Sequence, residues 1–207
     1  YCDMTPEDAG WTLLMRLSTN TENMDYASSY WDTSALLNET APTPAVSLLN
    51  ATDAKYPAFN SVVGRVFRLD WLAPEVTWTE TRPASVTALT LFSGAEIVLA
   101  GNALPTGPRT CHGDLLSASG NYSAEHMQFG EASQFYGFNG SEPDPATTRA
   151  RWGFGSTDGS LVWQPQAAIG VSAGSLVWAP ETACKACGCN GASSVAYPET
   201  AANLWVR

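Results

Sequence analysis

Between Val63 and Trp71 the chain alternates, with Val63, Phe67, Leu69 and Trp71 on one side and Gly64, Arg68 and Asp70 on the other, while Arg65 breaks the rhythm. A period of two marks a strand with one buried face, because successive side chains leave the backbone in opposite directions. Such a strand cannot stand alone: it needs hydrogen-bonded neighbours at its edges and an apolar layer on its face. Val76 and Trp78 continue the pattern, so a sheet is required and the rest of the chain has to complete it.

The other apolar segments are short and fit that demand. Trp11 to Met15 reads as a buried strand within a polar, turn-rich stretch from Tyr1 to Trp31. Runs at Arg149 to Phe154, Leu161 to Trp163, Ala167 to Val171, Ser175 to Trp178 and Ala201 to Val206 are β-rich and separated by Gly, Pro or Asp. Val86 to Leu99 is ambiguous: Ser93-Gly94 suits a hairpin turn, while Leu89, Phe92 and Ile97 suit one face of a short helix. Leu-Leu-Asn-x-Thr occurs at Leu36 to Thr40 and again at Leu48 to Thr52, a spacing too short for a solenoid repeat, and reads as two similar turns. The fold expected is α+β, predominantly antiparallel β with few short helices and long loops, with residues 1–207 forming one domain. Trp11, Trp152 and Trp205 belong in its core.

Composition narrows the partners. Only 14% of residues are charged and 44% are hydrophobic, which describes a packed domain rather than a disordered segment. The net charge is −10, Lys55 and Lys185 are the only lysines, and the arginines are scattered. Without a basic run, neither nucleic acid nor an anionic bilayer finds the cations it needs. No apolar stretch approaches the roughly 20 residues that cross a bilayer, so this segment is not expected to insert in a membrane.

The compartment follows from sequons and cysteines. Asn38-Glu39-Thr40, Asn50-Ala51-Thr52, Asn121-Tyr122-Ser123 and Asn139-Gly140-Ser141 all fit the N-glycosylation pattern. Cys184, Cys187 and Cys189 crowd into six residues, and with Cys111 they have the makings of two disulfides in an oxidising compartment. The four allow three connectivities; a direct Cys187 to Cys189 bond would be strained, so Cys111 is expected to pair into the cluster. A Cys₄ zinc site is the alternative, and a redox Cys-x-x-Cys is disfavoured by Gly188 and Asn190-Gly191, which read as a loop. Secretion or display at the cell surface is the expectation. Cys2 is then the odd cysteine, paired either within the chain or beyond it.

Both ends carry a resemblance. Tyr1-Cys2-Asp3-Met4-Thr5 followed by Gly10-Trp11-Thr12-Leu13 resembles the YCDM-x-GGGWT-L signature of fibrinogen-like recognition domains, a group that includes fibrinogen's C-terminal globe, ficolins and intelectins. Pro198 to Arg207, PETAANLWVR, is similar to the closing strand of intelectins. The middle matches loosely, through Ala150 to Phe154 and Ile169 to Val171. The resemblance implies a fibrinogen-like globular domain in which Cys2 is bridged to a cysteine upstream of this segment, the first part of the domain lying outside the chain. The chain departs from the signature at Asp8-Ala9-Gly10, where the family has three glycines, and it has no His between Trp178 and Tyr197, where intelectins place a calcium ligand.

Calcium takes six to eight oxygens from carboxylates, amides and carbonyls. Ser156-Thr157-Asp158-Gly159-Ser160 lies roughly where the family places its acidic calcium loop, and Glu181, Asn190 and Glu199 offer further oxygens. The candidate metal ligands are therefore Asp158, Glu181 and Glu199. A sugar needs aromatic faces for its apolar side and polar groups for its hydroxyls, which points to Trp178, Tyr197 and Asn190 as ligand-binding residues.

Catalysis is not expected. Gly170-Val171-Ser172-Ala173-Gly174 spells the G-x-S-x-G elbow of α/β-hydrolases, but that elbow joins a parallel strand to a helix and its His comes later in the chain, whereas His112 and His126 both precede Ser172. Glu131, Glu142 and Asp144 make no convincing acid pair, and His126 reads as an ordinary histidine. The resulting expectation is a non-catalytic extracellular recognition domain that binds carbohydrate or glycoprotein with calcium. The alternative is a structural module of a larger surface or filamentous assembly, contacting other extracellular chains after its sugar site has degenerated.

Overall fold

The computed structural model describes residues 2–3, 10–18, 23–41, 44, 52–72, 75–98, 134–141, 148–156, 167–172, 174–175, 189–190 and 201–207. They fall in two compact units, one comprising Tyr1–Gly94 with Glu199–Arg207 and the other Ala95–Pro198. The described residues form mostly antiparallel sheet with few short helices.

The first unit is built on six strands: β1 (Cys2–Asp3), β2 (Trp11–Ser18), β3 (Ala54–Lys55), β4 (Val63–Leu72), β5 (Glu75–Thr87) and β12 (Ala201–Val206). Their order is β1-β2-β12-β4-β5, with β3 also on β2, and every pairing is antiparallel. The C-terminal strand thus runs in the middle of the sheet, and all six of its residues are buried. Nearly all of β2 is buried as well, which explains why both read as continuous apolar runs rather than as alternating strands.

The break that Arg65 makes in the sequence is a break in the ladder. The β4–β5 register shifts between Gly64 and Val66, and there the N–H groups of Arg65 and Val66 both donate to the Arg207 carbonyl at 2.8 and 2.9 Å. The Arg207 N–H returns a bond to the Val66 carbonyl at 2.8 Å. Gly64 makes the approach possible, because a Cβ on it would lie 2.9 Å from the Arg207 carbonyl oxygen and collide with Val206.

Two one-turn helices cover part of this unit. Proline at the start of α1 (Pro57–Ser61) supplies a preset φ where no N–H is needed. The ambiguous Val86 to Leu99 segment resolves as helix α2 (Ala88–Phe92), whose first turn is capped by the Thr87 hydroxyl accepting from the Thr90 N–H at 3.1 Å. The loop of residues 23–41 lies on these helices through Trp31, whose ring centroid is 5.0 Å from that of Phe92 and 6.3 Å from that of Phe59. The indole N–H of Trp31 donates to the Asp25 carbonyl at 3.0 Å, so this wholly buried ring leaves no unpaired donor.

In the second unit β6 (Ile97–Val98), β7 (Gln134–Ser141), β8 (Thr148–Ser156), β9 (Ala167–Val171) and β11 (Cys189–Asn190) pair in the order β11-β9-β8-β7-β6, and β10 (Gly174–Ser175) also pairs with β8. Phe138 and Trp152 stand opposite each other on β7 and β8, with stacked rings 5.1 Å apart. Gly170 has φ +146, and a Cβ there would lie 2.6 Å from the Gly153 Cα, so the close β8–β9 approach requires glycine. The expected core tryptophans are buried, Trp11 at 2%, Trp152 at 0% and Trp205 at 4% exposure.

Candidate functional site

Asp158, Glu181, Glu199, Trp178 and Tyr197 lie outside the described residues, as do Cys111, Cys184, Cys187, Asn50 and Asn121. Asn190 and Cys189 form β11, opposite Ala167 and Ala168 of β9, so the backbone of that short strand brings one predicted sugar ligand beside one predicted disulfide cysteine. Three carboxylates and an amide oxygen are hard donors of the kind calcium selects. Among the described residues no group of three or more His, Cys, Asp or Glu is placed to hold a metal ion.

Cys2 is exposed and free, with its sulfur 3.8 Å from the Thr12 hydroxyl. The register places Cys2 opposite Thr12, Thr12 opposite Val206, and Val206 opposite Phe67. One row across four strands therefore joins the segments in which the two terminal motifs lie.

Ser172 does not sit on a strand-to-helix turn. β9 and β10 follow one another along β8 in a single register, with Val171 opposite Trp152 and Gly174 opposite Arg149, and Ser172 interrupts that ladder with φ 50. Asn139 likewise interrupts the β7–β8 ladder with φ 54, and its side-chain oxygen accepts from the Arg151 guanidinium at 3.2 Å. The two left-handed residues thus lie on either side of β8 at Arg151, one within β7 and one between β9 and β10. Asn139 is 6% and Ser172 3% exposed. Asparagine tolerates this backbone region better than serine, which gains nothing from it sterically.

Two polar clusters in the first unit escaped the sequence reading. In one, the Arg68 guanidinium carbon lies 4.6 Å from the ring centroid of Trp11 and 5.3 Å from that of Trp205, while Arg207 stacks on Trp11 at 4.6 Å. Arg68 also bonds Asp70 at 3.0 Å, and Asp70 accepts from the Thr77 hydroxyl at 2.9 Å. Burial raises the Asp70 pKa, opposed by the neighbouring Arg68 charge and by the bonds from Thr77 and Arg68.

In the other cluster Lys55, with no exposed surface, donates to the carbonyls of Tyr30, at 2.6 Å, and Thr33 and lies over the Phe59 ring at 4.5 Å. Desolvation lowers its pKa to about 8 from the ordinary 10.5, with the Asp32 charge acting in the opposite direction. Among the described residues its buried amine clamps two backbone carbonyls and a ring, the pattern of a structural lysine. The only sequence signal was a lysine in a chain that has just two.

Compared with known proteins, the chain matches no family model, no curated protein and no solved structure.

Proposed function

We propose that this chain is a non-catalytic extracellular recognition domain of the fibrinogen-like type, one that binds a carbohydrate or glycoprotein with calcium held by its C-terminal loops. The observation that carries the reading is the row Cys2, Thr12, Val206 and Phe67. The resemblance rested on two segments almost two hundred residues apart in sequence, and a common unit requires them to be neighbours; they are adjacent strands of one antiparallel sheet. In this reading Asp158, Glu181 and Glu199 are the candidate carboxylates for the ion, and Trp178, Tyr197 and Asn190 the candidate residues for the sugar.

The test is calorimetric titration of the full-length protein with calcium, repeated after chelation and paired with glycan-array binding. The expected result is sub-millimolar calcium affinity and glycan binding that disappears with chelator. The absence of both calcium uptake and glycan signal overturns the reading.

A second reading, a structural module of an extracellular assembly, is favoured by one feature. Cys2 is exposed on β1, the outermost described strand on its side of the sheet, where a neighbouring chain has access. Non-reducing electrophoresis of the native assembly separates the two: a covalent partner released by reductant supports the module, and a monomeric chain opposes it.

A further inference from the structure

Two of the four sequons lie among the described residues, and the fold treats them oppositely. Asn38 is exposed, at the start of a turn closed by the Ala41 N–H donating to the Asn38 carbonyl at 2.9 Å. Its φ is 44, in the left-handed region, and Glu39 and Thr40 are exposed with it. The base of the turn is fixed: Leu37 and Lys55 exchange two backbone bonds, at 2.7 and 3.3 Å, and one hydrogen of the Asn38 side-chain amide goes to the Asp53 carbonyl at 2.8 Å. Asp53 is itself buried, and its carboxylate accepts from the Ser18 N–H of β2 at 2.8 Å. A primary amide has two hydrogens, so one anchors the side chain while the other occupies the position that a sugar takes. Asn139, by contrast, lies within β7 at 6% exposure with its side chain against Arg151.

We infer that Asn38 carries an N-linked glycan and that Asn139 does not. The inference rests on the extracellular part of the proposed function, because the donor is a lipid diphosphate-linked oligosaccharide of the secretory pathway. The Asn38 Nδ2 forms a bond to the donor's anomeric carbon. The bond from that carbon to the diphosphate oxygen breaks, its electron pair leaves on the lipid diphosphate, and the proton lost by the amide passes to that diphosphate. The retained N–H keeps the bond to Asp53, so the sugar projects from a turn tied to the sheet rather than from a free strand of chain. A glycan on Asn139 has no such exit, since the β7–β8 pairing has to form over it.

The experiment is peptide mapping of the chain made in a eukaryotic secretory host, after an N-glycosidase digestion in heavy-oxygen water that marks each formerly glycosylated asparagine as labelled aspartate. Chains retained in the cell are mapped alongside those exported. The expected result is labelling at Asn38 in most copies and none at Asn139 in the exported protein. Thr40→Ala should abolish the Asn38 label while leaving the Asp53 bond and the thermal midpoint unchanged. Unlabelled Asn38 in both fractions, or exported protein labelled at Asn139, overturns the inference. Calcium and glycan-array binding are read separately, so failure of the ligand-binding proposal leaves this outcome legible, and the reverse holds too.

Discussion

Arg68 stands opposite Trp205 in the β4–β12 pairing, and its guanidinium lies over the indole it faces, 5.3 Å from the ring centroid. Trp11 takes the same cation at 4.6 Å, and Asp70 holds its edge at 3.0 Å. A planar guanidinium can stack and pair at once, whereas an ammonium concentrates its charge and hydration at one point. Arg68→Lys is therefore expected to lose part of what Arg68→Met loses, the latter costing about 1–3 kcal/mol because a partly buried carboxylate is left short of a hydrogen-bonded partner. Urea denaturation measures it. The double variant Arg68→Met with Asp70→Asn should recover part of the loss, and a double variant weaker than the single would contradict the pairing.

The same carboxylate gives a pH signature. Asp70 is held above its ordinary 3.8 by burial, so the folded chain binds more protons than the unfolded one just above that value. Its contribution to stability is complete at lower pH and is lost as pH rises through the raised folded value. Removing Arg68 takes away an opposing influence and should push the Asp70 pKa further up. Stability profiles of Arg68→Met and the double variant should consequently diverge as pH rises above the ordinary carboxylate value; parallel profiles would mean that Asp70 titrates in the folded chain as it does in the unfolded one.

How far the sequence led is visible at this cluster. The alternation in β4 separated Phe67, Leu69 and Trp71, all buried, from Arg68 and Asp70, but it failed at Val63, placed on the same side and 62% exposed, because the register shift between Gly64 and Val66 ends the strict period of two. The opposite face was not, however, left to water: Arg68 is only 7% exposed, because indoles from β2 and β12 reach across it. Period two assigns a residue to a face but cannot say what covers that face, since the covering side chains come from strands far away in sequence. The short β-rich runs at Ala167–Val171 and Ala201–Val206 coincide with β9 and β12. Helix α2 remained ambiguous because five residues hold too little periodicity to outweigh a Ser-Gly pair. Lys55 was invisible for the converse reason: its two acceptors are backbone carbonyls, which every residue possesses.

Lys55 supplies a second pH test. The unfolded chain keeps that proton to about 10.5, while the folded chain releases it near about 8. Between these values the unfolded state binds more protons, so stability gains from Lys55 as pH rises, and the gain is lost as pH falls back through the folded value. The difference in unfolding free energy between wild type and Lys55→Met should shift toward wild type from pH 8 to 10. Tyr56, whose pKa burial raises, is present in both proteins, so its contribution cancels in the difference. A flat difference would place the Lys55 amine in water.

Phe92 tests how the loop of residues 23–41 is held. Its ring, wholly buried, lies 5.0 Å from Trp31 and 5.8 Å from Phe59, joining α2, α1 and the loop. Phe92→Ala should cost about 3–5 kcal/mol, and Phe92→Leu distinctly less because it retains most of the volume. Chemical denaturation followed by tryptophan fluorescence gives both values. Equal losses would show that ring stacking rather than filled volume dominates.

Gly64 separates backbone freedom from backbone space. Its φ is not left-handed, so alanine meets no torsional objection; what it meets is the Arg207 carbonyl 2.9 Å from the new Cβ, together with Val206. Backbone cannot rotate aside as a long side chain can. The last residues of β12 must move, and with them the bonds from Arg65 and Val66 to Arg207. Gly64→Ala is expected to destabilise by about 1–3 kcal/mol, the usual range for overpacking. Hydrogen exchange should locate the damage: the Arg65, Val66 and Arg207 amides lose protection first, while those of Leu13 and Leu14, in the middle of β2, lose only what the global stability loses. Uniform loss of protection across the sheet would mean that the end of β12 has no local freedom and that the strand opens only with the whole unit.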